Sequence, residues 1–148
     1  MEYVSICMLL NHRKQIDSNL SKTNPLEYRE VYLIWHDQLC VDNFPASVKE
    51  EKPLLLFIES VQRVNQIPYH KKKLVFLYSA MRHFALECEK MGFSVYYHST
   101  SDDYASSIID LLQKHSHWNL SYMQPSEWDS REAIKTVKKN YPSIQEYP

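Results

Sequence analysis

The run Leu54 to Glu59, LLLFIE, is of strand length and carries no polar alternation, with Pro53 on one side and polar residues on the other. A strand with one wet face alternates apolar and polar residues. A continuous apolar run has both faces covered, as in a parallel sheet sandwiched between helices. Four further segments extend the pattern. VYLIWH from Val31 to His36, FSVYYH from Phe93 to His98 and LSYMQ from Leu120 to Gln124 read as strands, and SIQEY near the end as a fifth.

Between them lie helical periods. Leu74, Leu77, Tyr78, Met81, Phe84, Ala85 and Cys88 recur at spacings of three and four within a helix running from Tyr69 to Met91. Gly92 follows as its C-cap. A second helix lies near Asp102 to His115, with Tyr104, Ile108, Leu111 and Leu112 on one face. A third is PSEWDSREAIKTVKKN, with Ile134 and Val137 inward and Lys138 and Lys139 at its end. Asp102 or Ser101 suits the cap of the second, and Ser126 or Asp129 that of the third. Short strands alternating with helices specify an open α/β domain, Rossmann-like or flavodoxin-like, with a parallel sheet of about five strands and helices on both faces. One domain accounts for residues 1–148, with residues 1–25 an N-terminal extension of uncertain structure.

At 148 residues the chain is long enough to bury about two-thirds of its unfolded surface. Lys plus Arg number 17 and Asp plus Glu 18, so no global field draws it to nucleic acid or an anionic membrane. Cys7, Cys40 and Cys88 lack metal-site spacing and read as reduced core thiols of a cytoplasmic protein. No apolar run reaches the ~20 residues of a membrane span, so no membrane partner is expected. With Gly92 as its single glycine the chain has neither GxGxxG nor a Walker loop, and it carries no GxSxG or HExxH.

In an open parallel sheet, ligands bind beyond the carboxyl ends of the strands, near the switch in strand order. That rule selects His36, Asp37 and Gln38 after the first strand, Glu59 and Ser60 after the second, His98 and Ser99 after the third, and Gln124, Glu127 and Trp128 after the fourth. Asp37 and Glu59 could pair as carboxylates. A separate candidate is the basic cluster His70, Lys71, Lys72 and Lys73 at the start of the long helix, where cations oppose the macrodipole and an anion or partner surface would offset them.

DQL after the first strand, the ES pair after the second, HKKKLVFLYSAMRHFA in the helix and PSEWDSREA after the fourth strand together resemble the deoxyribodipyrimidine photolyase-related proteins. These include the iron–sulfur branch of the cryptochrome/photolyase-like flavoproteins. The similarity runs from about Val31 to the end of the chain. It implies the N-terminal α/β domain of a longer protein, whose C-terminal portion holds FAD and a 4Fe-4S cluster and repairs DNA with light or senses blue light. This segment would carry no catalysis itself. It would serve as an antenna or scaffold with a lumazine chromophore, partnered by the flavin-binding portion and meeting DNA only in the full-length protein.

The resemblance implies that Asp37, Gln38 and Leu39 form the loop under the chromophore, Glu59 and Ser60 its second wall and Leu77 an apolar contact. Glu127 and Trp128 match an EW element. His36 stands where the family pattern has glycine, and Arg63 near where it has an acid. Two other readings compete: a stand-alone nucleotide- or phosphate-binding enzyme using His36, Asp37, Glu59 and the lysines, and a protein-interaction module with a vestigial crevice.

Overall fold

The structure is a computed structural model and describes residues 23–60, 62 and 71–148. Five parallel strands, β1 (Glu30–Ile34), β2 (Leu54–Ser60), β3 (Val95–Thr100), β4 (Asn119–Met123) and β5 (Gln145–Tyr147), lie in the order β3-β2-β1-β4-β5. This is the Rossmann order, and it sets aside the flavodoxin alternative, in which the first strand lies between the second and third. All seven residues of β2 are buried, as its unbroken apolar run demands. It bonds on one side to β1, from Val31 opposite Leu54, and on the other to β3, from Leu55 opposite Val95.

Alternation along the strands sorts the core into two layers. Val31, Leu33, Leu54, Leu56, Ile58 and Leu120 face one side, with Ile108, Leu111, Leu112, Ile134 and Val137. The latter belong to α3 (Tyr104–Lys114) and α4 (Trp128–Asn140). Tyr32, Ile34, Leu55 and Phe57 face the other side, against Val48 of α1 (Ala46–Glu51) and Tyr78, Met81, Phe84, Ala85 and Cys88 of α2 (Lys71–Lys90). Each large apolar side chain so buried contributes about 1.5–3 kcal/mol over leaving it in water.

The ends of the helices refine the sequence reading. Gly92, at φ +90°, closes α2: its N–H bonds to Glu89 O at 2.9 Å and that of Phe93 to Cys88 O at 3.0 Å, which is a Schellman motif. The cap of α3 is Asp103, one residue beyond Asp102, and its carboxylate accepts from Ser106 N at 2.7 Å. The cap position of α4 is Glu127, rather than Ser126 or Asp129, and its side chain makes no cap bond. The short helix α1, to which the sequence reading assigns no element, ends on Lys52, a non-glycine residue at φ 46°. Cys88 is a core thiol, whereas Cys40 is exposed, a correction to the reading of all three as buried; Cys7 lies outside the described residues.

Candidate functional site

The switch in strand order falls between β1 and β4, because the chain leaves β1 towards β2 on one side and β4 leads on to β5 on the other. Three successive residues after β1 reach across to the loop after β4. His36 Nε2 lies 3.0 Å from Glu127 Oε1. Asp37 accepts from the backbone N–H of Ser126 at 3.0 Å and also from its hydroxyl. Gln38 donates through Nε2 to Met123 O at 3.1 Å and Gln124 O at 3.2 Å, while its Oε1 accepts from Trp35 N. The His36 ring and Gln38 are buried, and Asp37 and Glu127 are exposed. Leu39 packs at the margin of the core layer shared with α2, and Trp128 is 72 % exposed at the first position of α4.

Glu59 and Ser60 are consecutive on β2 and therefore belong to opposite faces of the sheet. Glu59 meets α2. Arg82 donates through Nε to Glu59 Oε2 at 3.0 Å and through a second nitrogen to Oε1, and Tyr97 donates its hydroxyl to Oε2 at 2.7 Å. Burial pulls the Arg82 guanidinium down, but the Glu59 carboxylate outweighs it and the net shift is upward. Burial, then the same carboxylate, pushes the Tyr97 phenol far up. Arg82 and Tyr97 thus both keep their protons near neutral pH.

Ser60 faces α3 and α4. Its hydroxyl donates to Asp102 O at 2.6 Å, and its carbonyl accepts from Tyr78 on the other side. Beside it opens a cleft of about 320 Å3 whose lining includes Tyr104 and Thr136, with Asp103, Asp129 and Glu132 making it acidic. The cleft sits at the starts of α3 and α4, on the same edge of the sheet as the β1–β4 loops.

The structure thus gathers His36, Asp37, Gln38, Glu127 and Trp128 at one place, and sets Glu59 and Leu77 on the α2 face and Ser60 on the α3–α4 face. Asp37 and Glu59 each have a separate hydrogen-bond partner rather than forming a carboxylate pair. Leu77 is partly buried on α2. In the basic cluster, Lys73 is exposed in the first turn of α2, which holds no acidic residue. His70, Arg63 and the side chains of Lys71, Lys72 and Leu74 lie outside what the structure describes. His98 stacks on Tyr96 along the edge strand β3, apart from the β1–β4 loops.

Arg82, Tyr97 and Ser126 are the groups that sequence reasoning did not assign to these networks. Arg82 carried a signal: four residues after Tyr78 and three before Ala85, it is a charge inside an apolar stripe, which calls for a buried counter-charge. Glu59, at the end of an otherwise apolar strand, is its complement.

Among the described residues no helix is long and apolar enough to cross a membrane. Comparison with curated proteins returns no match. The family described as deoxyribodipyrimidine photo-lyase-related protein matches residues 32–147, from within β1 to the end of β5. With that match spanning all five strands, the chain belongs to the deoxyribodipyrimidine photo-lyase-related protein family.

Proposed function

We propose that this chain serves as the N-terminal scaffold and antenna domain of a photolyase-related flavoprotein acting in light-dependent DNA repair or blue-light sensing. FAD and the 4Fe-4S cluster belong to a separate C-terminal portion, which is the domain's partner, and DNA is met only in the full-length protein. The observation that carries the reading is the extent of the family match, which covers the whole sheet rather than one motif.

The polar groups at the strand ends argue for scaffolding as the resting role. Asp37 is held by Ser126, Gln38 by three backbone groups, Glu59 by Arg82 and Tyr97, and Ser60 by Asp102. A lumazine does not fit this closed arrangement, since the acceptors and donors that would fix its edge already have protein partners. Its binding at these groups therefore requires them to exchange protein partners for the ligand. A phosphate-binding enzyme is the weaker alternative. Asp37 and Glu127 set carboxylates at the crevice, and the single glycine, Gly92, lies at the opposite end of the sheet, where β3 begins.

The test is a titration of the folded domain with 6,7-dimethyl-8-ribityllumazine, followed by absorption and fluorescence, with excitation transfer to FAD measured in the full-length parent. Saturable binding with transfer establishes the antenna role. Binding absent from a folded sample restricts the domain to scaffolding, and a parent without a flavin-binding portion overturns the reading altogether.

A further inference from the structure

We infer that the outer edge of β3 pairs with the same edge of a second copy of this chain, antiparallel about a two-fold axis at Tyr97, joining two sheets into one. The starting point is how differently the two edges of the sheet are guarded. β5 is three residues long, carries Glu146 and is followed by Pro148. β3 is six residues long, and from Phe93 to Ser101 the chain has no Lys, Arg, Asp, Glu or Pro. Among the described residues β3 pairs with β2 alone. Soluble proteins blunt a free edge with charge, proline or brevity, so a long uncharged edge is a place for another strand.

The ladder determines which backbone groups face outward. Leu55 N–H bonds to Ser94 O, so by alternation Ser94, Tyr96 and His98 turn their backbone groups to β2, while Val95, Tyr97 and Ser99 turn theirs away from it. An axis at Tyr97 sets Tyr97 against Tyr97, and Val95 against Ser99 of the other copy, as hydrogen-bonded pairs that use all three outward residues. It also sets Tyr96 opposite His98 of the other copy, which extends the stack that these two rings already form along the strand.

The charges beside the strand fit the same axis. Burial, then Lys114, holds His98 below its ordinary value and Asp110 opposes them, so both charges lie close to this edge on the α3 side. Leu112, midway between them, is about 12 Å along α3 from its start, and Tyr97 is about 10 Å back from the end of β3, so the axis passes level with that midpoint. Antiparallel copies of α3 then turn each exposed Asp110 toward the exposed Lys114 of the other copy. This match favours a second copy over an unrelated strand.

The experiment is sedimentation velocity of the full chain over a range of concentrations, for wild type, Ser99→Pro, Asp110→Lys, Lys114→Asp and the double charge swap, with native hydrogen exchange on wild type. Wild type is expected to dimerise. Ser99→Pro removes an N–H that faces away from β2 and should weaken the dimer by about tenfold or more. Each single charge reversal should weaken it, and the double swap should restore it. The amides of Val95, Tyr97 and Ser99 should gain protection as concentration rises, while those of Tyr96 and His98 stay protected throughout. A monomer at every concentration overturns the inference, as does a dimer indifferent to Ser99→Pro or a double swap no better than the single reversals. Protection of the three outward amides that does not depend on concentration overturns it too, since another segment of the same chain then holds the edge. Should Ser99→Pro fail to fold, the charge variants and the exchange pattern decide.

Discussion

Arg82 lays its guanidinium along the carboxylate of Glu59, and neither side chain is more than 6 % exposed. Breaking such a pair from one side strands a charge in the core. Arg82→Ala is expected to cost about 3–5 kcal/mol of stability, whereas replacing both partners by apolar residues of similar volume is expected to be close to neutral. Tyr97→Phe, which removes one neutral donor, should cost about 1 kcal/mol. Urea unfolding of the single and double variants checks the series; a double variant as unstable as Arg82→Ala would contradict it.

Acid should weaken the fold through two histidines. Burial, then Lys114, holds His98 below its ordinary 6.5, with Asp110 opposing; burial, then His117 and Lys114, does the same to His115. Below pH 6.5 the unfolded chain takes up protons that the folded chain resists, so stability falls as the pH drops from 6.5 to the folded values and then levels. His98→Gln with His115→Gln should flatten the change in urea midpoint between about pH 7 and pH 5. An unchanged slope would place the acid sensitivity elsewhere.

The sequence announced the layers more fully than the contacts between them. β2 was legible because an unbroken apolar run has one physical meaning, and α2 because its stripe and its terminal glycine agree. The helix α1 was not. Its six residues hold a single buried side chain, Val48, too few for a period to show. The placement of Glu59 and Ser60 on opposite faces follows from strand alternation alone, yet reading them as one wall of a crevice overlooked it. The Asp37–Ser126 bridge was hidden for another reason: it joins residues 89 apart, and only the strand order brings them together.

Two thiols should differ sharply in reactivity. Burial, then Glu87, pushes Cys88 up to about 12, and the side chain sits in the core beneath α2, whereas Cys40 is exposed. In a Cys7→Ser background, a thiol reagent at pH 8 should label one site rapidly and the second only after denaturant is added. Rapid native labelling of both would show α2 lifting from the sheet.

Gly92 carries the last test. Its φ of +90° disfavours any side chain, and a Cβ there would meet Lys52 Nζ at 3.1 Å. That ammonium donates to Met91 O at 3.0 Å and lies over the Phe93 ring, so it is not idle. Gly92→Ala should cost about 1–2 kcal/mol, visible as a lower melting temperature. A variant as stable as wild type would show that the α2–β3 turn relaxes without loss.

The strand order also governs how the chain assembles as it is synthesised. β1 pairs with β2 soon after both emerge, Val31 meeting Leu54, but its other edge waits for β4, where Val31 meets Leu120. Until then the central strand of the finished sheet is an open edge of apolar residues. Nascent chains cut off before Asn119 would therefore carry a sticky border that chaperones or a second nascent chain can occupy. The last strands to arrive are the ones that make the molecule safe.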